Sequence, residues 1–139
     1  MPTNPTLQNE VAEALCSALF QTDFEPLGST DNREEGHTEW FRRGFFPKSI
    51  RVAVRQPILA DAVEVGVEWH NLSMGTRLKG SQKFTISLLA LTNATANAPA
   101  TDLMVRILTI YRDVLAGEGV AGPIAELAPE ADEGVDSET

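Results

Sequence analysis

At 139 residues, with 20 acids against 11 bases and a formal net charge of −9, the chain has room for one hydrophobic core and lacks the basic balance of a simple nucleic-acid coat. No apolar run nears the roughly 20 residues of a membrane span, and the polar start over 1–9 is not a secretory signal, so a soluble intracellular protein is expected. One cysteine, Cys16, and two histidines, His37 and His70, exclude an internal disulfide and argue against a metal cage.

Asn4-Pro5 is a good helix start, a capping residue followed by proline at the first helical position. Leu7, Val11, Leu15 and Leu19 then recur at i+4, which predicts a helix over 6–21. Residues 23–36 are polar and turn-rich and read as loop. A short strand is expected over 37–43, broken by Gly44 and Pro47.

The clearest pattern follows. Ile50, Val52 and Val54 alternate with Arg51 and Arg55; Val63, Val65, Val67 and Trp69 alternate with Glu64 and Glu68. Period-two alternation marks strands with one buried face. Folding the segment antiparallel so that Val54 meets Val65 sets Arg55 opposite Glu64, Arg51 opposite Glu68, and Ile50 opposite Trp69. Any slip by one residue would drive the charges into the core. The strands are predicted over 49–56 and 62–70.

Residues 71–80 read as a flexible loop. A further strand is expected over 82–91, with Phe84, Ile86 and Leu88 on one face and Lys83, Thr85 and Ser87 on the other. After a polar connection, 99–116 is the strongest helix, with Gly117 placed as its C-terminal glycine. Leu103, Ile107, Ile110 and Val114 form one apolar stripe; Met104, Leu108, Tyr111 and Leu115 form a second. A helix apolar that far round needs a second surface, and a partner chain is the natural supplier, so an obligate oligomer is expected. A brief helical turn is expected at 123–127.

The fold class is therefore α+β: an antiparallel sheet over 37–91, preceded by a helix and loop over 1–36 and followed by two C-terminal helices over 99–129. Residues 1–129 read as one domain, and 130–139 as a disordered acidic tail. Charge divides by segment. From Arg42 to Lys83 there are eight bases against three acids, whereas the last 22 residues hold seven acids and no base.

From Thr38 to Pro129, about two thirds of the chain, the succession of elements resembles the coat proteins of single-stranded RNA bacteriophages of the levivirus type. The likeness is carried by Glu39-Trp40 before the sheet and by Arg51-Val-Ala-Val-Arg-Gln56 with its returning strand to Val67-Glu68. Phe84-Thr-Ile-Ser leading through Thr92-Asn93 into the long helix, and Leu115-Ala-Gly with Gly122-Pro-Ile-Ala-Glu-Leu127 closing the chain, complete it. The resemblance implies an interlocked homodimer whose sheets pair edge to edge, each helix pair reaching over the partner's sheet. It implies assembly into an icosahedral shell around single-stranded RNA, with the sheet facing inward. The protein would then belong to the virion, and to the bacterial host cytoplasm during assembly. The stripe residues of the long helix become dimer and assembly contacts. Asn71, Gly75, Arg77 and Gly80 belong to the loop that gathers at symmetry axes, here without the cysteines that cross-link some relatives.

By position, the family's RNA-facing places are Arg51, Ala53 and Arg55, then Glu64, Gly66 and Glu68, then Ser81, Lys83 and Thr85. Arg42, Arg43 and Lys48 add bases suited to phosphate contact, as does Lys79. Glu64 and Glu68 oppose it by neutralising the two arginines and repelling the backbone. The Arg/Glu ladder therefore reads first as a solvated ion-pair surface and second as a sequence-specific RNA site, with non-specific genome contact by Arg42, Arg43, Lys48, Lys79 and Lys83 left open. Two departures stand out. A helix replaces the family's opening β-hairpin and is expected to pack on a neighbouring subunit through Leu7, Val11, Leu15 and Leu19. The acidic tail is expected outside the shell, away from RNA.

Trp40-Phe41-Arg42-Arg43 with Phe45-Phe46 mixes aromatic and basic residues as single-strand binders do, but aromatics flanking a short strand read first as core. His70 beside Glu68 lacks a third group for acid–base work. No enzyme, cofactor or metal is expected. The alternatives are an acidic dimeric chaperone or adaptor of bacterial secretion systems, and a free RNA-binding regulator.

Overall fold

The computed structural model describes residues 5–34, 36–73, 78–89 and 91–117. Helix α1 (Pro5–Gln21) leads into five strands, β1 (Glu25–Asn32), β2 (Gly36–Phe45), β3 (Lys48–Gln56), β4 (Ala62–Asn71) and β5 (Leu78–Ser87). A 3₁₀ turn, Asn93–Thr95, precedes helix α2 (Ala98–Ala116). The strands form one antiparallel sheet in the order β1-β2-β3-β4-β5. Each strand thus pairs with its neighbour in sequence, the arrangement that short turns favour.

The central hairpin has the register its residues require. Val54 faces Val65, Arg55 faces Glu64, Arg51 faces Glu68 and Ile50 faces Trp69. Ile50, Val52, Val54, Val63, Val65 and Val67 are all buried on one face, and α1 and α2 both pack on β3 and β4 there and against each other.

Helix α1 forms because its i+4 apolar residues fall on one side. Leu7, Val11, Leu15 and Leu19 are buried in the core of their own chain, not reserved for a neighbouring subunit. Gln8 ties the helix start to the β3–β4 turn: its Nε2 donates towards the carbonyls of Pro57 (2.9 Å), Ala62 (3.0 Å) and Ala60 (3.2 Å).

The same observation corrects the argument for a partner around α2. Ala100, Leu103, Met104, Ile107, Ile110 and Val114 are buried within the one chain, and Leu108 and Tyr111 pack partly against its core. The second surface that two apolar stripes require is α1. Only Val105 (62% exposed) and Leu115 (44%) remain as large open apolar side chains on α2. Gly117 ends the helix in the left-handed conformation, φ 77°, with its N–H on the Val114 carbonyl.

Three other boundaries differ from expectation. Residues 23–36 contain strand β1, which is exposed along its whole length. With no face buried it carries no alternation to read, and its backbone ladder to β2 defines it, interrupted by a bulge between Pro26 and Gly28. Strand β2 runs on through Gly44 to Phe45. Strand β5 starts at Leu78 and ends at Ser87, so the ends of the expected 71–80 loop are strand, with Asn71 paired to Leu78 and Trp69 to Gly80. The expected turn at 123–127, the tail, Gly75 and Arg77 lie outside the described residues. No helix among the described residues is long and apolar enough to cross a membrane.

Candidate nucleic-acid interface

Both helices occupy one side of the sheet, and among the described residues no helix packs on the other, bare side. Successive strand residues point to opposite faces, so register alone assigns the bare-face residues. Reading across β3, β4 and β5, Arg51, Glu68 and Ser81 form one row, Ala53, Gly66 and Lys83 the next, and Arg55, Glu64 and Thr85 a third. Strand β2 adds Arg42, Trp40 and Thr38 to these rows in turn. The positions expected from the resemblance therefore do share one surface. Trp40 was hidden from sequence reasoning, which read the aromatic run as core; that holds for Phe41 (4% exposed) and not for its neighbour on the opposite face.

The middle row is a trough. Gly66 has no side chain, and open space lies where a Cβ would stand. Ala53 beside it adds one methyl. Arg51 and Glu68 wall one side, and Arg55 and Glu64 the other. Trp40 and Lys83 close the ends.

Charge on this face is only partly compensated. Glu64 lies 3.8 Å from Arg55 and 3.9 Å from Lys83, so one carboxylate serves two cations. Arg42 binds Glu25 of β1 at 3.0 Å. The expected second rung does not close: Arg51 faces Glu68 in register, yet its guanidinium lies over the Trp40 ring, 5.7 Å from the centroid. Arg42 and Arg51 also stand directly opposite each other, a like-charge pair that costs stability and raises the local positive potential. The Arg42 Nε is buried without a hydrogen-bond partner.

Two expected members do not belong to the bare face. Arg43 turns to the helix side, its guanidinium 5.0 Å from the Tyr111 ring centroid and 3.9 Å from Asp23. Lys48 takes the same register side as buried Ile50, two residues along β3. The physical reason is alternation itself: Arg42 and Arg43 are adjacent in a strand and so face opposite ways.

Of the proposed symmetry-axis residues, Asn71 and Gly80 stand in strands β4 and β5, not in a flexible loop. Asn71 is buried (1% exposed); its Nδ2 donates to the Val114 carbonyl at 2.6 Å, and its Oδ1 accepts from Ser73 N–H and Oγ. It fastens the end of β4 to the end of α2. Gly80 lies flat against the Trp69 indole, where a Cβ would come within 2.6 Å of the ring.

At one end of the bare face, the β2–β3 turn lifts Phe45 and Phe46 into solvent. Gly44 shapes this turn: its φ is +87°, and a Cβ there would meet the Lys48 carbonyl at 2.7 Å and the Tyr111 hydroxyl at 2.8 Å. His70 lies near Ser49 (3.4 Å) and the Phe46 ring, and forms no acid–base pair with Glu68 among the described residues.

A second polar cluster sits at the opposite end of β2. His37 Nε2 meets Glu39 at 2.6 Å, and its Nδ1 meets Asp31 at 2.7 Å. The Glu39 carboxylate first, then that of Asp31, raises the His37 pKa above its ordinary value. On α1, burial pushes the Cys16 thiol up to about 12, with Glu39 and Glu13 adding to the shift. A thiol held protonated is no nucleophile. Among the described residues no group of histidine, cysteine and carboxylate side chains suits a metal ion. No protein-family model, curated protein or solved structure matches this chain.

Proposed function

We propose that this chain is a structural coat subunit whose bare sheet face lies against single-stranded RNA and whose copies assemble into a closed shell. The observation that carries this reading is the one-sided sheet: five strands in simple order, both helices on one face, and Arg42, Arg51, Arg55 and Lys83 on the other. The overall charge of −9 opposes RNA binding by the whole molecule, so attraction must come from this local field. Among the described residues β5 ends the sheet with no further strand beside it, and pairing of two such edges is the simplest route to a dimer with a doubled RNA-facing surface.

Electron microscopy of the purified protein, with nuclease digestion of its contents, tests the reading. Uniform shells that protect RNA support it; only small soluble species would defeat the coat assignment. For the face itself, Arg51→Ala with Arg55→Ala should weaken RNA binding and lower its log–log salt slope by about 1–2. Glu64→Gln with Glu68→Gln should tighten binding.

A second reading keeps the RNA and omits the shell. Because α1 completes the burial of α2 inside one chain, a subunit needs no partner to close its core. That favours a free RNA-binding regulator over the secretion-type chaperone. It predicts particle-free protein that still shifts RNA in a gel.

A further inference from the structure

We infer that the β2–β3 turn is a stacking site for unpaired bases of single-stranded RNA, formed by Phe45 and Phe46 at the end of the bare face. This rests on the reading of that face as RNA-facing and names the place where bases, as distinct from phosphates, are held.

Phe45 is 68% exposed and Phe46 76% exposed. Register pairs Phe45 with Lys48 on the helix side of the strand, but one contact of each ring draws it towards the bare face. The Arg42 guanidinium lies 4.8 Å from the Phe45 ring centroid, and the His70 ring lies 6.1 Å from that of Phe46 at 44°. His70 is in turn paired in register with Ser49 and Lys79. Among the described residues no carboxylate reaches Lys79 within ion-pair distance. The turn is braced, since the Leu72 N–H donates to the Pro47 carbonyl at 2.8 Å and Gly44 fits tightly under Tyr111.

The far end of the sheet supplies the contrast. It also exposes apolar residues, Leu59 (85%) and Leu89 (78%), but these are aliphatic. Of the two ends, among the described residues, it is the Phe45–Phe46 end that combines exposed π faces with cations. That combination matches a ligand carrying both a flat base and a phosphate. A second copy docking ring to ring through the same patch would bring like charges together.

The test measures anisotropy of a labelled single-stranded RNA of about 12 nucleotides, a typical site length, with inorganic polyphosphate as a base-free competitor. Phe45→Ala with Phe46→Ala should weaken RNA binding about tenfold or more and leave polyphosphate competition unchanged. Phe45→Leu with Phe46→Leu, which keeps the apolar bulk, should weaken it too. Leu89→Ala should not. Phe46→Trp should show fluorescence quenched on RNA addition.

Equal RNA affinity in the parent and both double variants would overturn the inference and leave the reading of the sheet face standing. So would a loss shared equally by polyphosphate, or a loss of self-association with RNA affinity intact. A parent that binds no RNA would overturn both.

Discussion

At one edge of the sheet, β5 alternates buried Gln82, Phe84 and Ile86 with exposed Lys83, Thr85 and Ser87; at the other edge, all of β1 is exposed. Both strands pair along their length with a single neighbour. What separates them is the layer beneath. Phe84 and Ile86 belong to the continuous core, whereas no β1 residue does. A net hydrogen bond contributes about 0.5–1.5 kcal/mol, against about 1.5–3 kcal/mol for a buried phenylalanine or isoleucine. Strand β5 is thus held by packing and β1 by its ladder. The sheet is graded in burial, and β1 is expected to open first.

The sharpest way to break this contrast is Phe84→Ala. It should cost about 3–5 kcal/mol in urea unfolding, because the 0% exposed ring leaves a cavity. If Leu27→Ala on β1 cost as much, the comparison would fail. Leu15→Ala follows, at about 2–5 kcal/mol. Leu15 lies in the α1 layer that completes the burial of α2, and the variant should also loosen α2 amides in hydrogen exchange. A purely local loss confined to α1 would deny α1 its role as the cover.

A smaller effect comes from His37, which bridges β1 through Asp31 and β2 through Glu39. Its folded pKa is raised above the ordinary 6.5. The bridge therefore contributes fully below about 6.5 and fades as pH rises through the raised folded value. Asp31 is 81% exposed, so the contribution stays within the about 1 kcal/mol of exposed pairs. Amide exchange in β1 should accelerate across that window beyond its ordinary pH dependence, and His37→Gln should remove the step. Leu27→Ala should be smallest, within about 0.5 kcal/mol by the same urea assay.

Legibility followed burial. The hairpin of β3 and β4 was readable to the residue because Val52, Val54, Val65 and Val67 are buried while their neighbours are wet. The i+4 rows of α1 and α2 were readable for the same reason. Strand β1 gave no signal because burial never distinguishes one of its faces. At the candidate site, alternation identified the rows around Arg51, Gly66 and Lys83. It could not say which of Arg42 and Arg43 belongs there until β2 was registered against β3, nor that Phe45 and Phe46 stand clear of the core while Phe41 enters it.

Sequence by itself determined the register of the central hairpin, the amphipathic faces of both helices and the glycine that ends α2, because each depends on residues close in the chain. Tertiary structure decided what those faces meet. Leu7, Val11, Leu15 and Leu19 and the stripes of α2 are equally apolar whether a partner or the same chain covers them. Only the placement of α1 beside α2 over β3 and β4 made the cover internal, since hydrophobic burial has magnitude and no address.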